Sequence, residues 1–436
     1  MRTKICVLPA LILGLGAIAG AGSAGAAGFQ LLEQNASGLG NAYAGSAAVA
    51  ENASTIFYNP AGMTQLQDRE FSLGAALISP SYTFTNSASS TGALTGSGGD
   101  GGRRGVLPNA YMSWALSKDL YVGVGVGAPF GLKTQYDDAW LGAAQSRMFE
   151  IKTLNVNPSV AFRVNERVSL GFGLNWQKID AEYIRTAGVG PIPVTGLGTV
   201  PLQLHTADLR LSDSAWGWNV GALFTLSPAT KLGVSYRSSI QYKTTGTVTT
   251  TGPATVISST FNALKTGTAN ADIKLPDTFI SSLTHQMNDQ WQLLADLSWT
   301  GWSSMPKVDI YTATPAATGL GQTLGTNFRD TWRAALGATY KLDDAWKLKF
   351  GVAYDQTPVK SADSRLVSLP DNDRTWLSAG VQWKPGKVST LDVGAAYLFI
   401  KDSTINNDQT AQVRGLVNGS YSGNVWILGG QFSSAF

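Results

Sequence analysis

The sequence predicts an all-β fold: an antiparallel transmembrane β-barrel of about fourteen strands. Three observations carry this expectation: a secretory leader, a composition poor in charge and rich in glycine and aromatics, and apolar residues recurring at every second position. In the leader, Arg2 and Lys4 make a basic start, Ile5 to Ala19 is apolar, and Ala24 and Ala26 supply the small residues of a cleavage site. Residues 1–26 therefore read as a signal peptide and Ala27 as the mature N-terminus. The run is too short and too rich in Gly and Ala for a spanning helix. Cys6 is the only cysteine, so the mature chain has no disulfide to secure it in an oxidising compartment.

The length would allow two or three soluble domains, but only 14% of the 436 residues are charged, against roughly 25% in soluble domains. Glycine numbers 49 and tryptophan 13, and no later apolar run approaches the roughly 20 residues of a spanning helix. The 32 basic and 29 acidic residues nearly balance. No basic field exists to attract nucleic acid, and none is expected as a partner.

Alternation then marks the strands in order. Leu120, Val122, Val124 and Val126 share one face; Val168, Leu170, Phe172, Leu174 and Trp176 share another, opposite Ser169, Gly171, Gly173 and Asn175. The pattern returns from Trp218 to Leu226, Trp291 to Trp299, Leu348 to Tyr354 and Leu391 to Phe399. Period two fits strands and not helices. Aromatics such as Trp176, Trp218, Trp291, Trp299, Tyr354 and Trp383 recur where an interfacial girdle needs them, which a soluble sandwich does not require. Short polar links join these runs at Ser117–Asp119, Asn165–Arg167, Asn288–Gln290, Asp343–Ala345 and Lys384–Gly386. Longer Gly-, Ser-, Thr- and Asn-rich segments lie between the hairpins, at Thr85–Arg104, Ala187–Leu204, Thr244–Ala271 and Asp309–Phe328. Short turns on one side and long loops on the other is the asymmetry of a bacterial barrel. The last run, with Trp426, Leu428 and Phe432 on one face, ends at Phe436, like the terminal assembly signal of outer-membrane barrels.

Residues 27–68 lack alternation. Asn41 to Ser54, with Ala42, Ala44, Ala47, Ala48 and Ala50, would suit a short helix. Asn59 before Pro60 makes a helix start, because the Asn side chain caps free N–H groups and Pro is tolerated at the first position. The spacing of Gly38, Gly40 and Gly45 is no dinucleotide site, since no strand precedes it.

The mature start AGFQLLEQNASGLGNAYAG, followed by Asn59, Pro60 and Ala61, resembles the FadL family of outer-membrane transporters for long-chain fatty acids and other hydrophobic compounds. The resemblance continues through GLKTQYDDAW from Gly131, LPDTF from Leu275, the long run from Phe328, and LPDNDRTWLSAG from Leu369. It implies a monomeric fourteen-stranded barrel at 69–436, plugged by a partly helical N-terminal hatch at 27–68 that contains the Asn59-Pro60-Ala61 motif. It also implies capture in an apolar groove, hatch rearrangement and lateral release at a kinked third strand, with outer-membrane lipid around the wall. Gly125, Gly127 and Pro129 are the kink candidates, since Pro donates no ladder hydrogen bond and Gly permits bending.

An acyl chain gains roughly 0.8 kcal/mol per buried methylene, while a carboxylate is costly to bury alone. Parity nominates its partners: if Trp332 and Ala334 face lipid, Arg333 faces the lumen, and if Leu377 and Ala379 do, so does Arg374. Arg329, near the mouth of its strand, is a third candidate. Lumen arginines also build wall networks with carboxylates such as Asp330, Asp371 and Asp373. Aromatic hydrocarbons are the alternative cargo, a general porin conflicts with a plug, and a phospholipase is more remote. The last needs a serine activated by a base, and His205 and His285 lack a nucleophile motif. Neither a catalytic site, a metal site nor a cofactor is expected.

Overall fold

The computed structural model describes residues 28–436, apart from 93, 190–191, 195–197, 201, 254, 256–265 and 313–321. The signal-peptide expectation lies outside the described residues. The barrel strands are β1 (Arg69–Asn86), β2 (Gly105–Ala115), β3 (Leu120–Gly127 and Gly131–Gln135), β4 (Met148–Asn165), β5 (Val168–Val189), β6 (Gln203–Ser227) and β7 (Thr230–Arg237 and Ile240–Thr251). They continue as β8 (Gly267–Leu275 and Thr278–Gln286), β9 (Trp291–Thr300 and Val308–Thr312), β10 (Gln322–Leu324 and Thr331–Lys341), β11 (Trp346–Asp355), β12 (Arg374–Trp383), β13 (Ser389–Asp408) and β14 (Leu416–Ala435). Each pairs antiparallel with the next, and β14 returns to β1 from Glu70↔Ala435 to Asn86↔Gly419. The sheet is thus a closed fourteen-stranded barrel, and closure removes the free edges an open sheet would present to lipid, apart from the outer part of the β2–β3 seam.

The rows read from the sequence face outward. Leu170, Phe172 and Leu174 are exposed on the outer surface, while Ser169, Gly173 and Asn175 are buried inside. Aromatics bound the apolar band at both ends. At the short-turn end Trp291 meets Tyr340 with ring centroids 4.7 Å apart, and Trp346 stacks on Trp383 at 5.7 Å. At the loop end Trp299 pairs in register with Trp332, and Tyr397 meets Trp426 at 4.6 Å. From Trp291 to Trp299 the strand runs roughly 26 Å at about 3.3 Å per residue, or about 20 Å along the membrane normal at a tilt of roughly 40°, somewhat under the roughly 25 Å apolar band of such barrels.

All five short links are turns at one end, and a sixth joins β6 to β7 at Pro228–Ala229. The expected loop Thr244–Ala271 is shorter than the sequence suggested, because β7 runs to Thr251 and β8 starts at Gly267. Above the lipid there is no apolar face to alternate, yet the Thr-rich chain still favours the pleated ladder. Residues 28–68 lie inside the barrel, and the helix expected from Asn41 to Ser54 does not form. Instead there are single 3₁₀ turns at Leu39–Asn41 and Pro60–Gln65 and one helical turn, α1 (Thr55–Tyr58). Ala42, Tyr43 and Ala50 adopt positive φ. The wall bonds this segment from several sides: Ala47 N–H donates to Ser282 Oγ at 3.0 Å, Arg333 donates to Ala42 O at 2.6 Å, and Asn41 Nδ2 donates to the carbonyls of Ala338 (2.9 Å) and Phe350 (3.2 Å).

Candidate functional site

Asn59 is the principal anchor of the N-terminal segment. Its side-chain oxygen caps the 3₁₀ turn by accepting from the Ala61 N–H at 3.1 Å, with Pro60 in the first position. Its Nδ2 donates to Ala47 O at 2.7 Å and, across the lumen wall, to Ala222 O on β6 at 2.9 Å. Contact this close needs a wall without side chains. A Cβ at Gly221 would collide with Asn59, at Gly171 with the Pro60–Ala61 peptide, at Gly233 with Ala47, and at Gly351 with Asn41.

The same segment enters the wall at β3. The ladder between β2 and β3 stops at Ala110↔Val126, leaving Gly105–Asn109 without β3 partners until an isolated bridge at Gly102↔Thr134. Between Gly127 and Gly131 the ladder to β4 also breaks. Here the chain pairs with the N-terminal segment: Leu31 N–H donates to Pro129 O and Gly131 N–H to Phe29 O, both at 2.8 Å. Gln34 clasps Ala128, accepting its N–H at 3.0 Å and donating to its carbonyl at 2.8 Å. Gly127 leaves room for that Gln34 oxygen, and Gly125 packs under the Tyr111 ring. Gly28, at φ +62°, lies under Trp302, where a Cβ would come within 2.6 Å of the ring.

Phe29 then closes the floor of a lumenal cavity of about 670 Å³. Phe149, Ile151, Tyr183, Leu211, Ile273, Met305 and Phe328 are among its lining residues, and no charged side chain lines it. A cleft of about 1260 Å³ at the loop end, lined by Lys307, Tyr311, Gln412 and Arg414, shares Ile310 and Leu366 with the cavity.

The lumen arginines divide into two groups. Arg333 and Arg374 face inward, as parity required, and the fold brings them together across β10–β12. Arg374 is ion-paired with Asp371, both fully buried, and Asp371 also accepts the Gly28 N–H at 3.0 Å. Arg333 lies opposite Asp355 in register, donates to Ala42 O at 2.6 Å and covers Trp376 at 5.1 Å. Glu33 lies in the field of both arginines and of Asp355, and its Oε2 has no hydrogen-bond partner. Burial pushes its carboxyl up to about 7 against the pull of its backbone hydrogen bond and of the arginines. Arg329 is on the outer side, 3.7 Å from Asp373, and donates to Thr357 O at 3.0 Å. A second ionic contact holds Glu51 to β11 and β13. Lys349 bonds Glu51 at 2.8 Å and Asp392 at 3.1 Å. Burial would raise the Glu51 carboxyl, but Lys349 and Lys347 outweigh it and hold the group at about 2.

The second group was not singled out by sequence reasoning. Arg185 and Arg414 are both buried and close enough to repel each other, and neither pairs with a carboxylate among the described residues. Arg185 is two positions beyond Tyr183 of the cavity lining, and Arg414 lines the outer cleft. Parity would have put Arg185 inward had the outer half of β5 shown an apolar face to count from. Of the two histidines, His285 meets the Thr230 hydroxyl at 2.9 Å on the outer wall and His205 is buried against Gly252.

A closed barrel with an apolar outer band and an enclosed apolar cavity is the architecture of a transport protein of the outer membrane. The sequence profile described as Outer membrane protein transport protein (OMPP1/FadL/TodX) matches residues 17–436, and the chain belongs to that family. It is 30% identical over 428 residues to the Long-chain fatty acid transport protein of Salmonella typhi, with 94% of each chain covered. It is 32% identical over 410 residues to Outer membrane protein P1 of Haemophilus influenzae, with 87% of each covered. Among solved structures, a Pseudomonas aeruginosa FadL homologue superposes with a TM-score of 0.83 at 22% identity, covering 94% of this chain and 99% of that one. The Pseudomonas putida toluene transporter TodX does so at 0.68 and 15%, covering 92% and 98%. These two likenesses are of fold. The protein is thus an outer-membrane protein of a family of transporters and channels.

Proposed function

We propose that this chain takes up long-chain fatty acids through the outer membrane and is not an enzyme. The observation that carries this is the apolar lumenal cavity together with Arg185 and Arg414 on its outer side, neither of them paired with a carboxylate among the described residues. The tail fills the cavity, gaining roughly 0.8 kcal/mol per methylene, and Arg185 and Arg414 receive the carboxylate that would be costly to bury alone. Residues 27–68 act as the hatch. Withdrawal of Phe29 to Leu31 from the Pro129 region opens the cavity floor, and cargo leaves sideways between β2 and β3, where the ladder is already interrupted. We assign Arg333 and Arg374 to holding the hatch, since three carboxylates already surround them. One observation favours aromatic hydrocarbon as a second reading: the cavity lining itself is without charge. Equilibrium binding of palmitate and of toluene to the purified barrel separates the two. Fatty-acid transport requires palmitate to bind and to weaken when Arg185 and Arg414 become Gln; toluene binding alone would assign the cavity to hydrocarbon.

A further inference from the structure

Below the cavity the lumen wall changes character. Along β5 the inward residues run Tyr183, Ala181, Ile179, then Gln177 and Asn175; β4 adds Asn155 and Asn157, and β6 adds Asn219. These five amide side chains are almost fully buried, and no carboxylate is among them. Asn219 Nδ2 is buried without a hydrogen-bond partner, and Gln177 lies beside the Tyr242 hydroxyl; the spare amide donor costs free energy unless water or a ligand fills it. At the foot of this ladder is Arg237, opposite Asn219 in register. One of its nitrogens donates to Asn175 Oδ1. The other donates to Phe57 O of α1 at 2.8 Å, and the guanidinium covers the Phe57 ring at 4.4 Å. No carboxylate pairs with Arg237 among the described residues. A partly buried cation whose hydrogen-bond acceptors are neutral oxygens is under-compensated. The top of the ladder adjoins the kink, since Asn155 lies opposite Gly127.

We propose that Arg237 is an inner anion station that couples cargo to the hatch. It takes the carboxylate of an acyl-chain acid after the tail has moved toward the kink. The head group follows, meets the donors of Gln177, Tyr242 and Asn219, and reaches Arg237. A carboxylate accepting from the guanidinium replaces the weaker carbonyl acceptor. The Phe57 contact is then lost, and α1 with the Asn59 anchor behind it is loosened. The inference rests on the fatty-acid reading and adds the signal by which the hatch detects an acid.

The test is hydrogen exchange of the full mature chain in phosphatidylcholine bilayers, with palmitate and hexadecanol as probes that share a tail and differ in charge. Palmitate should speed exchange across Thr55–Tyr58 roughly tenfold, the loss of about one charge-assisted hydrogen bond, and hexadecanol should not. Arg237→Gln should raise basal exchange there and abolish the palmitate increment, whereas Arg237→Lys should keep part of it. Equal responses to the two probes, or a palmitate increment surviving in Arg237→Gln, overturns the proposal. The comparison of probes on the unsubstituted chain decides the matter even if both variants fail to fold. Absence of palmitate binding overturns the fatty-acid reading as well, while binding without any change at Thr55–Tyr58 overturns only this one.

Discussion

Two sides of one lumen treat arginine in opposite ways. On the β10–β12 side, Arg333 and Arg374 are met by Asp355, Asp371 and the hatch residue Glu33. On the side formed by β5 to β7 and the β13–β14 loop, Arg185, Arg414 and Arg237 face hydroxyls, amides and carbonyls. In the proposed reading, charge already neutralised holds parts together, and charge left uncompensated is offered to an anion. The difference teaches that inward direction alone does not nominate a carboxylate receptor; the inventory of neighbouring acids decides.

Replacement on the neutralised side should cost the most stability. Arg374→Gln strands Asp371 in a fully buried site and should destabilise the folded barrel by about 3–5 kcal/mol, seen as a lower thermal unfolding midpoint, while palmitate and toluene binding fall alike. A selective loss of palmitate binding would move Arg374 to the receptor class and break the comparison. On the uncompensated side, the Arg185→Gln, Arg414→Gln double variant should weaken palmitate binding roughly a hundredfold, the value of two charge-assisted hydrogen bonds. Toluene binding and the unfolding midpoint should stay unchanged. An Asn59→Ala barrel should lose about 1–3 kcal/mol of hatch docking, from a cap and two carbonyl contacts. This would be read as exchange at Pro60–Gln65, and no change there would show that the glycine-lined fit alone holds the segment.

The smallest effect concerns Glu33. Its pKa is raised from 4.5 to about 7 in the docked hatch, so docking is tightest below the free value and weakens as pH rises through about 7. Hatch protection should drop about tenfold between roughly pH 6 and pH 8, and Glu33→Gln should flatten that dependence. Proteolysis of the N-terminal segment at the two pH values measures both. A pH response that persists in the variant belongs to some other group.

Much of the barrel was legible because lipid enforces alternation. Trp332 and Ala334 had to face oil, as had Leu377 and Ala379, so Arg333 and Arg374 had to face inward. Beyond the lipid that constraint lapses, which is why the outer reaches of β5, β7 and β8 read as loops and Arg185 drew no attention. The Ala-rich run from Asn41 misled for a related reason. Propensity favours a helix where the chain is free to form one; here the close approach of Asn41 to Gly351 and of Ala47 to Gly233 goes with a series of tight turns instead.

The sequence by itself determined an outer-membrane barrel, its strand count, the facing of each row and a separate irregular N-terminal segment. These follow from short-range periodicity against a solvent whose two phases sort every second side chain. Only the tertiary structure decided that the β2–β3 seam is interrupted and laced to Phe29 and Leu31. It also decided that Asp355 on β11 faces Arg333 on β10, and that Arg237 on β7 meets Phe57 of the N-terminal segment 180 residues away. Such pairings depend on which strands become neighbours around a closed cylinder, and charge compensation is a property of that neighbourhood, invisible along the chain.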